Sequence, residues 1–203
     1  MAGCCDNSCE LDALRERQSA TLKIVLAINA VMFVVMVVAA LYAGSTALLS
    51  DSLDNLGDAV TYGLSLYVVA MGARVKAKVA LFKGMLIFLA ALVVAGQIVY
   101  KLIYPAVPIF EAMGAFSLLG LAANGTCLFL LWRHRNEDIN MSSVWECSRN
   151  DIASNLAVFV AAAGVWAAGS GWPDLLVACG LLLIFMRSAY RVIASARQEL
   201  KTL

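Results

Sequence analysis

The chain has 203 residues, of which 62% are hydrophobic and only 14% charged, with a net charge of +1. A soluble domain carries about a quarter charged residues, so this balance excludes an ordinary water-soluble fold and reads as an integral, multi-pass membrane protein. The near-neutral charge excludes nucleic acid as a partner, and the six cysteines follow no secreted-disulfide spacing.

The first residues, MAGCCDNSCELDALRERQ, carry acids and lack the short apolar core of a signal peptide. Residues 1–18 are expected to form a cytoplasmic tail, flexible or a short interfacial helix, before a transmembrane unit over 19–203. Cys4, Cys5 and Cys9 cluster there beside Asp6. Thiolates are soft ligands, so these three are possible accessory metal-capturing residues, or idle cysteines of a tail.

Six apolar stretches then follow, at about 21–43, 47–72, 79–104, 109–132, 142–168 and 173–195. Each is near the about 20 residues that a helix needs to span a bilayer. Short links (GST, ARVKAK, YPAVP, RHRNEDIN and GSGW) predict an all-α, up-and-down bundle with antiparallel sequence neighbours. Lysine and arginine gather at one end: Arg15, Arg17 and Lys23, then Arg74, Lys76 and Lys78, then Arg133 and Arg135, then Arg191, Arg197 and Lys201. The opposite links have only Lys101 nearby. Both termini are therefore expected on the cytoplasmic side. Trp132 and Trp145 fall at the inner boundary and Trp166 and Trp172 at the outer one, as an aromatic belt does.

The second stretch, LLSDSLDNLGDAVTYG, puts acids where lipid makes them costly, by about 2.5–3.5 kcal/mol each even on the lenient insertion scale. Asp54 and Asp58 are four apart and share one helix face, which Thr61 and Tyr62 continue. Asp51 lies three before Asp54; it reads equally as an accessory ligand or as an acid favoured by the helix start. The fifth stretch repeats the pattern: in VWECSRNDIASN, Cys147 and Asp151 are four apart and Asn155 extends their face. Face to face, the two helices offer Asp54, Asp58, Cys147 and Asp151 to one divalent cation, the four donors a tetrahedral ion takes. Protons compete for the same groups, so metal binding releases H⁺. The plainer alternative is a pair of structural ion pairs, with Lys83 and Arg149 as partners.

Other polar residues read as structural. Glu146 and Arg149 suit a local ion pair. Asn29 and Asn124 suit interhelical hydrogen bonds, and Met32 with Met36 suits packing. Cys127 and Cys179 have no acid or thiol at ligand spacing on their own helices and read as core. Ala91 and Ala95 form a small-residue step for close helix approach.

At these residues the chain resembles the cation diffusion facilitator family of divalent-metal transporters. STALLSDSLDNLGDA is similar to that family's second-helix motif, with Asp54 and Asp58 in two metal-ligand positions. NEDINMSSVWECSRNDIASNLAVF resembles the fourth link and fifth helix, with Cys147 and Asp151 in the other two. WPDLLVACGLLLIFMRSAYRVI resembles the last outer link and sixth helix. The resemblance covers about residues 20–197. It implies a six-helix transmembrane domain, metal–proton antiport, no prosthetic group, and a homodimer. It also implies a plasma-membrane location of the bacterial inner-membrane kind. Two departures matter. The fifth-helix ligand is commonly histidine, whereas here it is Cys147, and the one histidine, His134, lies in a link. Sulfur shifts preference toward soft ions, so Cd²⁺ is expected to rival Zn²⁺. The family's usual C-terminal cytoplasmic domain has no counterpart in these residues, so a dimer is expected to form through membrane helices. The expectation is Zn²⁺ or Cd²⁺ efflux from the cytoplasm in exchange for H⁺. The alternative is a membrane metal sensor or partner subunit that binds without cycling. An intramembrane hydrolase is disfavoured because the histidine lies outside the spans.

Overall fold

The computed structural model describes the backbone of residues 4–68, 73–133 and 139–202. Side chains before residue 19, and those of several residues near the basic end, including Lys83, Glu146, Cys147, Arg149 and Asn150, lie outside the described set. The chain forms six helices: α1 (Cys4–Ala43), α2 (Thr46–Val68), α3 (Ala73–Ile103), α4 (Phe110–Trp132), α5 (Ile139–Ala168) and α6 (Trp172–Thr202). Helix α1 is continuous from Cys4, so the leading stretch runs into the first span without a break.

Five of these helices are long and apolar enough to cross a membrane. The exception is α2, and the reason is chemical. Its 23 residues hold Asp51, Asp54 and Asp58 close to their middle. The rest of the bundle encloses them: α2 packs against α1, α3, α5 and α6. Lipid-facing surface is carried instead by residues such as Val31, Val38, Phe129 and Leu183, all well exposed.

Two turns set the hairpins at the end opposite the basic residues. Gly44 between α1 and α2 and Gly169 between α5 and α6 both have positive φ, 61° and 58°. Glycine takes this left-handed conformation without a Cβ clash, which lets a helix stop and reverse within a few residues. The pairing is not wholly between sequence neighbours, however. Helices α3 and α4 barely meet, and α3 pairs chiefly with α6, while α1 pairs with α2 and α4 with α5. Close approach makes the α3–α6 pair possible: a Cβ on Gly84 would lie 2.7 Å from Ile193 Cγ1. Up-and-down threading was legible in the links, but this cross-chain partner was not.

The main core joins Met32, Met36 and Ala40 of α1, Leu48 of α2, Met113 of α4 and Val158 of α5. A second cluster, near the basic end, holds Leu22, Val25, Tyr62, Cys127 and Leu131. A third joins Val94 and Ile98 of α3 to Leu175 and Ala178 of α6, with Leu53 of α2 against it. Asn29 serves as expected of an interhelical polar residue: its Nδ2 contacts Cys127 Sγ of α4 at 3.8 Å and donates to Val25 O at 3.0 Å. Cys127 is buried as expected. Cys179 is not: it lies exposed on α6, because its face of the helix points away from α3.

Candidate metal site

A cavity of about 400 Å³ lies between α2, α3, α5 and α6. Asp54, Asp58 and Thr61 reach it from α2, Asp151 and Ser154 from α5, and Ser188 from α6. Apolar walls come from Leu86, Ile87 and Ala90 of α3 and from Leu181, Ile184 and Phe185 of α6. Three of the four predicted ligands therefore border one space, on two facing helices.

The helical repeat explains the placement. A spacing of four residues returns a side chain to nearly the same face one turn on. Asp54 and Asp58 thus stack along the cavity wall, and Asp151 meets them from the antiparallel α5. Ser154, one turn after Asp151 on α5, borders the same space, so both residues face Asp54 across the cavity. Asp58 is held differently. Tyr62 Oη, one turn along the same helix, donates to Asp58 Oδ2 at 2.8 Å. Asn155 Nδ2 donates to the Asp151 carbonyl at 2.8 Å, and Thr61 Oγ1 to the Gly57 carbonyl at 2.6 Å, so neighbouring polar side chains are largely tied to their own helices.

The described acids border the cavity without closing into a cage. Among the described residues, no three Asp, Glu, His or Cys side chains form a group that could hold a metal ion as they stand. Cys147 sits on α5 one turn before Asp151, with its side chain outside the described residues, as are those of Cys4, Cys5 and Cys9.

Asp51 stands apart from the other two α2 acids. It does not line the cavity. Nor is it a helix-start acid, because α2 begins at Thr46 and has no acid in its first turn. It is 1% exposed, and neither carboxyl oxygen has a hydrogen-bond partner.

Sequence reasoning missed the most extensive polar cluster among the described residues. At the end opposite the basic residues, Lys101 Nζ and Asp174 Oδ2 form a 3.0 Å ion pair, with side chains 6% and 0% exposed. Asp174 also accepts from Ser45 Oγ (2.6 Å), Thr46 N (2.8 Å) and Ala47 N (3.0 Å). Ser45 Oγ in turn accepts from Leu48 N at 3.0 Å, and Lys101 Nζ also donates to the Gly44 carbonyl. An α6 carboxylate and a serine thus satisfy the orphan N–H groups at the start of α2, where negative charge also suits the helix dipole. Two signals pointed there: one lysine at an end with no other basic residue, and an acid directly after the Trp172–Pro173 helix start.

The third apolar cluster lies between this clamp and the cavity. On α3, Val94 and Ile98 follow the cavity residues toward the clamped end; on α6, Leu175 and Ala178 precede them. Two layers, one apolar and one ionic, therefore lie between the cavity and that end.

Comparison with known proteins agrees with this architecture. Residues 22–201 match the family model described as the cation efflux transmembrane domain. The uncharacterized transporter sll1263 of Synechocystis sp. is 31% identical over 153 residues, which is 68% of this chain and 49% of that protein. The chain thus spans about half the length of this curated relative. The six-helix bundle, the acid-bearing α2 and the match over nearly its whole length show that the chain belongs to the cation efflux family of membrane transporters.

Proposed function

We propose that the protein exports a soft or borderline divalent cation, Zn²⁺ or Cd²⁺, across the membrane in exchange for protons, with Asp54, Asp58, Asp151 and Cys147 as the ion's ligands. The observation that carries this reading is the convergence of three carboxyls from α2 and α5 on one cavity inside the bundle. Three carboxylates together in low dielectric repel one another and need compensating positive charge. A dication supplies it, and so do protons. The placement of Asp54 and Asp151 on facing walls of one cavity supports the exchange, because a proton held between two carboxyl groups relieves their repulsion when no cation is bound. An arriving cation displaces that proton.

The apolar and ionic layers beyond the cavity fit alternating access, because they stand between the site and the end that the lysine and arginine distribution places outside. Metal loads from the basic, cytoplasmic end, and rearrangement of α3 and α6 against α2 and α5 opens the other path. The test is Zn²⁺ transport into proteoliposomes with an imposed pH gradient. Native protein should move Zn²⁺ against the proton flow, and Asp58→Ala should abolish transport while the protein still elutes as a folded species. An Asp58→Ala variant that transports at the native rate would remove the site from the mechanism.

A further inference from the structure

Tyr62 is the largest fully buried side chain among the described residues, at 0% exposure. Its ring is set in the cluster formed by Leu22 and Val25 of α1 and Cys127 and Leu131 of α4. Its hydroxyl meets Asp58 Oδ2 at 2.8 Å. A buried phenol needs a hydrogen-bond partner, yet a phenylalanine would have filled the same apolar pocket without that need. The hydroxyl is therefore explained by what it does to Asp58.

We infer that Tyr62 is a positioning residue that makes Asp58 a preset, one-oxygen ligand and so sets which cations the site accepts. The inference rests on the site reading given above. Three helices fix the ring, so the phenol oxygen is a fixed point in the bundle. A hydrogen bond from that point to Oδ2 restrains rotation of the carboxyl group, and the ordering cost is met on folding rather than on metal binding. With Oδ2 engaged by the phenol, two-oxygen chelation of a cation by Asp58 would require breaking the Tyr62 bond. One-oxygen carboxylates suit a small four-coordinate ion such as Zn²⁺. Ions that seek six or more oxygens, such as Mn²⁺, gain from two-oxygen carboxylates and are disfavoured. Tyr62 thus discriminates through Asp58 without touching the ion.

The test is isothermal titration of purified Tyr62→Phe in detergent with Zn²⁺ and with Mn²⁺, beside native protein and Asp58→Asn. Loss of a partner that orients a ligand lowers metal affinity by about 10–100-fold. The Zn²⁺ dissociation constant of Tyr62→Phe should rise within that range. That of Mn²⁺ should stay level or fall, so that the Zn²⁺/Mn²⁺ ratio drops about tenfold or more. A parallel change for both ions, or none for either, overturns the inference. Should the variant unfold, infrared difference spectra of the native protein decide. The carboxylate band missing in Asp58→Asn should show, on Zn²⁺ addition, the wide stretch splitting of one-oxygen binding; a narrow splitting overturns the inference. If Asp58→Asn binds Zn²⁺ like native protein, the site assignment itself fails. If it loses Zn²⁺ while Tyr62→Phe is native-like for both ions, only the role of Tyr62 fails.

Discussion

Asp54, Asp58 and Asp151 border one cavity, but their surroundings differ. Asp54 faces Asp151 and Ser154 across the cavity, while Asp58 is bonded along its own helix to Tyr62. On the proposed reading, a bound cation would sit between Asp54 and Asp151 and leave the Tyr62 bond intact. Ser154→Ala removes one competitor for Asp54 without removing a ligand. It is expected to leave transport in place and tighten apparent Zn²⁺ affinity by a few-fold; a loss of transport in a transport assay would instead make Ser154 a ligand. In the proposed site, Cys147 would set the softness of the donor set. Cys147→His should lower the Cd²⁺ over Zn²⁺ preference in competition transport assays, since imidazole is a harder donor than thiolate. An unchanged preference would mean that the thiolate does not meet the ion. Both changes act at single side chains, and neither should alter helix packing.

At the level of elements, the clamp at the start of α2 is the strongest polar junction among the described residues. It ties α2, α3 and α6 together by one ion pair and several hydrogen bonds, all within a few ångströms and shielded from solvent. Removing one partner of a buried ion pair leaves the other charged and uncompensated, at a cost of about 3–5 kcal/mol. Lys101→Met should accordingly lower thermal stability sharply in detergent. The double variant Lys101→Met with Asp174→Asn should recover part of the loss, because no lone charge remains. If Lys101→Met melts with the native protein, the pair is held only loosely. A parallel argument applies to the α3–α6 contact. Gly84→Ala would press a methyl group against Ile193, whose side chain is flexible but whose backbone nitrogen is 3.2 Å away.

For the whole molecule, an even number of antiparallel helices puts both termini at one end, and the lysine and arginine distribution says which end faces the cytoplasm. Ser170 lies in the α5–α6 link and Gln198 near the end of α6, at opposite ends of the bundle. In a cysteine-free background, Ser170→Cys should react with an impermeant thiol reagent added outside intact cells, and Gln198→Cys should react only after permeabilisation. The reverse pattern would invert the orientation and turn proposed efflux into uptake.

Much of this protein was legible before any coordinates. Apolar stretches marked all six helices, because a long span in lipid satisfies its backbone as a helix, although the acids of α2 leave five apolar enough to count as spans on composition alone. The four-residue spacings fixed which acids share a face, because helical geometry is local. Tertiary structure decided what locality cannot express. Asp51, three residues from Asp54, turned away from the cavity and into the packed interior, because a shift of about 60° around α2 exchanges one neighbour helix for another. Lys101 and Asp174, far apart in the chain, met in an ion pair only because α3 folds back against α6 instead of α4. Tyr62 acquired its part through the α1–α4 cluster that grips its ring. Which residues could carry charge through the membrane was thus a property of the sequence; which of them face one another depended on how the helices pair, and pairing in a bundle is set by surface complementarity across the whole chain.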